Sequence, residues 1–277
     1  MQVRVASHAG VCYGVERAFE LATDVATGAT PVHTLGPLIH NPQAVEALRK
    51  QGVEVADTLD DVHDGTLVIR THGVGPAIIE AARAKGLDVV DATCPFVSKV
   101  HDAAHALIEE GYSVIVVGEA DHPEVEGIRA HAGGDALIVQ SAAELPEPLP
   151  GRRLGIVVQT TQSAERLEEV VAAVLPRAAE VRVFNTICSA TAQRQRSAAE
   201  LAGEVDVMVI VGGRNSGNTT RLTEISSAVN PRTHHVETAE ELDQAWFAGA
   251  SLVGVTAGAS TPDVQMADVI EAIESIR

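Results

Sequence analysis

Positive charge is scarce in this 277-residue chain. Lys and Arg total 20 against 38 Asp and Glu, a formal net charge of −18. Sequence-independent binding to nucleic acid or anionic lipid depends on basic clusters, so neither is expected as a partner. Long apolar runs are missing as well: none approaches the roughly 20 residues of a membrane-crossing helix. The first residues already read as a strand, Gln2-Val3-Arg4-Val5-Ala6, with no signal-peptide pattern. A cytoplasmic protein is therefore expected. Cysteine is rare, three in all, and in a reducing compartment a small odd number excludes a disulfide scaffold. Close C-x2-C pairs are absent, which argues against structural zinc. There is no low-complexity tract, and the one linker-like stretch, residues 145–151, is too short to separate independent domains.

Apolar residues make up 45% of the chain, enough for a sizeable core. Short apolar runs at 67–69, 114–117, 156–158, 207–211 and 252–255 alternate with helical patterns such as 43–51, 77–85 and 165–175. That alternation predicts an α/β fold with mainly parallel sheets.

The cysteines mark an internal repeat. Cys12, Cys94 and Cys188 each follow a strand-like run and precede a helical pattern; Cys94 does so within Asp91-Ala92-Thr93-Cys94-Pro95. Gly36, Gly118 and Gly212 each lie 24 positions after their cysteine, and His40, His122 and Ser216 each lie 28 after. Further strands end in Thr71-His72, in Thr160-Thr161, and in Thr256 leading to Ser260, at offsets that have drifted. Scattered core thiols have no reason to share such a register. Three similar α/β lobes around a pseudo-threefold axis would bring the thiols together. The expected lobes are 14–94, 95–188, and 1–13 with 189–277.

Three thiolates at one centre suit zinc or an iron–sulfur cluster. A cubane held by only three cysteines leaves one iron without a protein ligand, open to water or substrate. The loops around it offer His40, His72, His122, Thr160, Ser216, Asn218 and Ser260, groups suited to a phosphate or diphosphate near helix N-termini. Protonated histidines are expected to supply the positive charge the composition lacks. The other histidines, His101 and His131 among them, show no such pattern. Gly212-Gly213-Arg214-Asn215-Ser216-Gly217-Asn218-Thr219 nearly fits a P-loop, but Asn218 stands where the lysine belongs, which excludes nucleotide triphosphatase chemistry and leaves a phosphate cradle. In His122-Pro123-Glu124-Val125-Glu126-Gly127, Glu124 is the candidate proton donor and Glu126 a first-turn helix carboxylate. A non-redox binding protein for phosphorylated metabolites and a zinc hydrolase are the competing readings.

The chain resembles the LytB/IspH family of 4-hydroxy-3-methylbut-2-enyl diphosphate reductases, which serve the deoxyxylulose phosphate isoprenoid pathway. The resemblance spans essentially the whole chain. It rests on Gly10-Val11-Cys12-Tyr13-Gly14-Val15, Ile39-His40-Asn41, Thr71-His72-Gly73-Val74, Asp91-Ala92-Thr93-Cys94-Pro95, His122-Pro123-Glu124-Val125-Glu126-Gly127, Gln159-Thr160-Thr161, Ile187-Cys188-Ser189-Ala190-Thr191, Asn215-Ser216-Gly217-Asn218-Thr219 and Thr256-Ala257-Gly258-Ala259-Ser260-Thr261-Pro262-Asp263. It implies a three-lobed fold in which the N-terminal strand joins the third lobe. It also implies a central 4Fe–4S cluster ligated by Cys12, Cys94 and Cys188, with one open iron. His40, His72, His122, Ser216, Asn218 and Ser260 match residues that hold the diphosphate; Thr160 matches the threonine near the substrate hydroxyl, and Glu124 the acid that feeds it protons, with His122 beside it. The implied reaction is reductive loss of an allylic hydroxyl, with electrons from an external donor such as ferredoxin or flavodoxin. Many relatives carry a second serine where this chain has Gly217, which removes one hydroxyl donor and keeps the backbone N–H. Some carry added RNA-binding domains, which are not expected here.

Overall fold

The computed structural model describes residues 1–276, so Arg277, the expected outer limit of the third lobe, lies outside the described residues. Along the chain run β1 (Gln2–Val5), α1 (Tyr13–Ala26), β2 (Val32–Leu35), α2 (Pro42–Arg49), β3 (Val53–Ala56), β4 (Thr66–Ile69), α3 (Pro76–Ala84), β5 (Asp88–Asp91), α4 (Pro95–Glu109), β6 (Ser113–Val117), α5 (Pro123–His131), β7 (Leu137–Val139), β8 (Arg153–Val158), α6 (Ala164–Val174), β9 (Glu180–Val183), α7 (Ser189–Ala202), β10 (Val207–Val211), α8 (Gly217–Val229), β11 (Thr233–Val236), β12 (Leu252–Ala257) and α9 (Asp263–Ser275). No helix among the described residues is long and apolar enough to cross a membrane.

The strands form three four-stranded sheets of one design, ordered β3-β2-β4-β5, β7-β6-β8-β9 and β11-β10-β12-β1. Every pairing is parallel. The N-terminal strand completes the last sheet, as the family resemblance implies: Gln2 lies opposite Leu252 and Val5 opposite Val255. By internal contacts the chain divides into two compact units. One comprises Met1–Glu16, Ile39–Glu46 and the chain from Ser189 onward, and carries the β11-β10-β12-β1 sheet; the other comprises Arg17–Leu38 and Ala47–Cys188, and carries the remaining two.

Parallel strands covered on both faces read as continuous apolar runs. β10 is such a strand, buried along its whole length. Val207, Val209 and Val211 pack with Val269 and Ile273 of α9, while Met208 and Ile210 pack with Leu201 of α7 and Leu222 of α8. β6 repeats the arrangement in the other unit: Val114 and Val116 meet Leu107 of α4 and Ile128 of α5, while Ile115 and Val117 meet Leu167 and Val170 of α6. Each such aliphatic side chain contributes about 1.5–3 kcal/mol by leaving water.

The edge strands β3, β7 and β11 escape the sequence pattern. They have only three or four residues, and Val53-Glu54-Val55-Ala56 is interrupted by an exposed glutamate. They nevertheless explain the repeated glycine. The amides of Gly36, Gly118 and Gly212 donate to the last carbonyl of the adjoining edge strand, Ala56 at 2.8 Å, Val139 at 2.9 Å and Val236 at 3.0 Å. Gly36 and Gly212 have φ of +69° and +146°, where a side chain is strained. Gly118 is there for space, since a Cβ would lie 2.7 Å from Val125 and 2.9 Å from the Gln159 amide oxygen.

Candidate functional site

Each cysteine stands at a strand-to-helix junction, immediately before α1, α4 or α7. All three are partly exposed, and none is in a disulfide. Their amides make equivalent bonds. Cys12 donates to the Ala259 carbonyl at 3.1 Å, Cys94 to Thr71 at 3.0 Å and Cys188 to Thr160 at 3.1 Å. Each acceptor lies two residues past the end of its strand, β12, β4 or β8. The repeat inferred from spacing is thus a repeat of backbone geometry.

The unit that carries Cys94 and Cys188 also assembles an acid–hydroxyl pair. Glu124, in the first turn of α5, is 2% exposed. Its Oε1 accepts from the Thr160 amide at 2.6 Å and its Oε2 from the Thr160 hydroxyl at 2.8 Å. Burial outweighs these bonds and raises its pKa to about 7, with Glu119 adding to the rise. Gln159 holds Glu119 in place, accepting from its amide at 3.0 Å. The Thr160 carbonyl that receives the Cys188 amide ties the pair to the cysteine loop.

His122 caps α5, its Nδ1 accepting from the Glu124 amide at 3.1 Å. A ring that accepts at Nδ1 carries its proton on Nε2 when neutral. Burial, with the nearby Arg70 charge, lowers the His122 pKa to about 4. This corrects the expectation that His122 supplies positive charge: at neutral pH it is an uncharged donor. His72 packs edge-on against it, ring centroids 5.3 Å apart.

The other unit gathers the hydroxyl and amide groups. Ser216 caps α8, accepting from the Thr219 amide at 3.4 Å. The Ser260 hydroxyl donates to the His40 carbonyl at 3.3 Å. Gly213 lies against that same carbonyl, where a Cβ would approach to 2.6 Å. Asn218 is 3% exposed, and neither polar atom of its side chain has a hydrogen-bond partner among the described residues. A buried amide with both ends unsatisfied costs free energy unless a ligand meets it. Arg214, the one cation of this loop, pairs with Glu241, and its amide donates to Glu237.

Several contributors escaped the sequence reading. α2 begins one residue later after His40 than α5 and α8 begin after His122 and Ser216, because Asn41 takes the cap by accepting from the Ala44 amide at 3.0 Å. His101 carries no motif, yet it is buried and stacks on His131 at 4.0 Å. Its imidazole explains two motif glycines: a Cβ would come within 2.5 Å of it at Gly73 and 3.0 Å at Gly127. Its seven-residue spacing from Cys94 along α4 was the available signal. Arg70, two residues before His72, is visible only through its charge.

These features define an α/β protein of three repeated parallel sheets with a cysteine at the close of each. The profile of the LytB protein family matches residues 3–274. The chain belongs to that family. It is 51% identical over 278 residues to the 4-hydroxy-3-methylbut-2-enyl diphosphate reductase of Citrifermentans bemidjiense, covering 100% of this chain and 98% of that one. Identity to the same-named protein of Pelobacter propionicus is 51% over 262 residues, 95% of this chain and 94% of that one. Among solved structures, that of (E)-4-hydroxy-3-methyl-but-2-enyl diphosphate reductase, the terminal enzyme of the non-mevalonate pathway, is 47% identical with TM-score 0.73 and full coverage of both chains. The E-1-hydroxy-2-methyl-but-2-enyl-4-diphosphate reductase from Plasmodium falciparum is 28% identical with TM-score 0.90, covering 98% of this chain and 87% of that one.

Proposed function

We propose that this chain reduces (E)-4-hydroxy-3-methylbut-2-enyl diphosphate to isopentenyl and dimethylallyl diphosphates in the cytoplasm. The allylic C–O bond breaks, two electrons and two protons are consumed, and water leaves. The observation that carries this reading is the Glu124–Thr160 pair, a buried acid poised near neutrality and bonded to a hydroxyl. Membership of the family and the relatives' shared activity support it.

Cys12, Cys94 and Cys188 would hold a 4Fe–4S cluster. The donor set fits: three partly exposed thiols, none in a disulfide, each at a helix N-terminus with its amide already bonded. When bound, such a cluster supplies electrons and a Lewis-acidic iron without a protein ligand. An external carrier such as ferredoxin or flavodoxin would reload it.

The chain's own residues bind and protonate. His40, His72, His122, Ser216, Asn218 and Ser260 hold the diphosphate, and Asn218's unsatisfied amide is the strongest support for a polar ligand there. Neutral His122 donates from Nε2 while its Nδ1 stays on the helix cap. Thr160 donates to the departing hydroxyl oxygen. Its own proton is replaced from Glu124, since the bond between the two hydroxyls runs in either direction once Glu124 is protonated. The second proton goes to either end of the allyl unit, which accounts for two products; the substrate's own diphosphate is within its chemistry to supply it.

The test is Glu124→Gln, purified without oxygen. The variant should keep its iron and lose at least about a hundredfold in kcat, the usual span of general-acid catalysis. Full turnover would remove Glu124 from the proton path.

A further inference from the structure

Loops that present cysteines need something to hold them, and in this chain the means differs from repeat to repeat. The loop before Cys12 is poorly packed: Val11 is 37% and Tyr13 64% exposed. Gly10 turns the backbone with φ +79°. Besides the backbone bonds from the Gly10 amide to Ala257 and from the Cys12 amide to Ala259, the loop is gripped by Arg194 of α7, itself only 6% exposed. Its Nη2 donates to the Gly10 carbonyl at 2.7 Å, and its Nη1 donates to the Ala190 carbonyl of its own helix at 3.1 Å. One planar guanidinium thus bridges the helix and the cysteine loop, a two-headed grip that an ammonium cannot copy.

The Cys94 loop has a counterpart. Arg17 of α1 donates from Nη1 to the Thr93 carbonyl at 3.2 Å and from Nη2 to the Asp91 carbonyl at 3.5 Å. Asp91 in turn accepts from the Thr93 amide at 2.9 Å. Arg17 and Arg194 stand five and six positions past Cys12 and Cys188, on the helix that opens each repeat. The remaining repeat breaks the pattern. Five past Cys94 stands Lys99, which is exposed and lies 5.3 Å above the Phe96 ring. The Cys188 loop is held by uncharged groups: the Thr186 hydroxyl accepts from the Val158 amide at 3.0 Å, and the Asn185 side chain accepts from the Ile187 amide at 3.2 Å.

We propose that Arg194 and Arg17 are positioning residues that clamp the loops presenting Cys12 and Cys94, leaving Cys188 on a clamp without charge. The assignment rests on the reading that these cysteines are ligands of one cluster.

The full-length chain, freed of metal by chelation, is labelled with iodoacetamide, and each cysteine is followed by peptide mass spectrometry. Labelling is done at about pH 9.5, above the ordinary thiol pKa of about 8.5, so that access to the thiol and not its ionisation sets the rate. Arg194→Met should raise labelling at Cys12 by at least about tenfold relative to Cys188 in the same molecules, the worth of a charged hydrogen bond. Arg17→Met should do the same at Cys94, and Arg194→Lys should fall between wild type and Arg194→Met. An equal rise at all three cysteines, or no rise, overturns the proposal. If Arg194→Met fails to fold by circular dichroism, Arg194→Lys decides: unchanged Cys12 labelling refutes the clamp. In the holoenzyme, iron loss to a chelator should quicken in both arginine variants. A wild-type chain that never takes up iron would sink the cluster reading while leaving the labelling pattern to stand or fall alone.

Discussion

Glu124 is pulled two ways. Burial favours its neutral form, and the two bonds from Thr160 favour its charge; burial wins, and the pKa stands at about 7. A donor must be protonated to give a proton, so kcat should fall as pH rises through about 7, measured anaerobically across that range. The same shift acts on stability with a definite sign. The folded protein holds this proton between about 4.5 and 7 while the unfolded chain has released it, so stability is lost as pH rises across that window. The gap amounts to ~3 kcal/mol at 1.36 kcal/mol per pH unit. Glu124→Gln should therefore melt higher than wild type at pH 8 and show no such gain at pH 4.5. A gain independent of pH would mean that the carboxyl is not shifted. Asn218→Ala removes an amide that has no partner among the described residues, so it should leave the melting temperature nearly unchanged and raise KM for the diphosphate by about tenfold or more. Glu124, Thr160 and the three cysteines stand out in the sequence as candidates because motifs carry them, and the contact between Glu124 and Thr160 is one the motifs alone do not give. The charge state of His122 was not, because burial and Arg70 set it from outside its motif.

The elements hold these groups through their ends. α5 starts on the His122 cap, and the same ring nitrogen that caps the helix fixes which nitrogen can donate. His122→Asn keeps a capping side chain and loses the donor, whereas His122→Ala loses both. The alanine variant should be less stable by about 1 kcal/mol, and the asparagine variant nearly as stable as wild type, while both bind diphosphate poorly. Gly73, in the loop after β4, and Gly127, within α5, both lie against His101 of α4. Gly127→Ala should cost about 1–3 kcal/mol by overpacking, read as a lower melting temperature; a smaller side chain at 101 should restore part of it. Here the sequence was only partly legible. Central strands announce themselves as apolar runs, but β3, β7 and β11 are too short and too polar. Asn41 moved a helix start by one residue without disturbing the 28-residue offset to His40.

Across the whole molecule, three sheets of one topology give each isolated cysteine the same place, at a strand-to-helix junction. The order β11-β10-β12-β1 needs the first strand of the chain to finish the last sheet, so Cys12 arrives in its repeat from the opposite end of the sequence. That closure is what the family resemblance implies, and it agrees with the placement of Cys12 before its own helix. The net charge of −18 asks that an electron carrier find a locally favourable patch on an otherwise acidic chain. The central claim is that the three thiols act together on one cofactor that drives the reduction. It is tested most directly by one anaerobic preparation assayed for iron, sulfide and turnover of the allylic diphosphate. The protein should be brown, with about four irons and four sulfides per chain, and product formation should disappear with the cluster in Cys94→Ser. A colourless protein that takes up neither iron nor sulfide on reconstitution, or one that turns over without them, would contradict it.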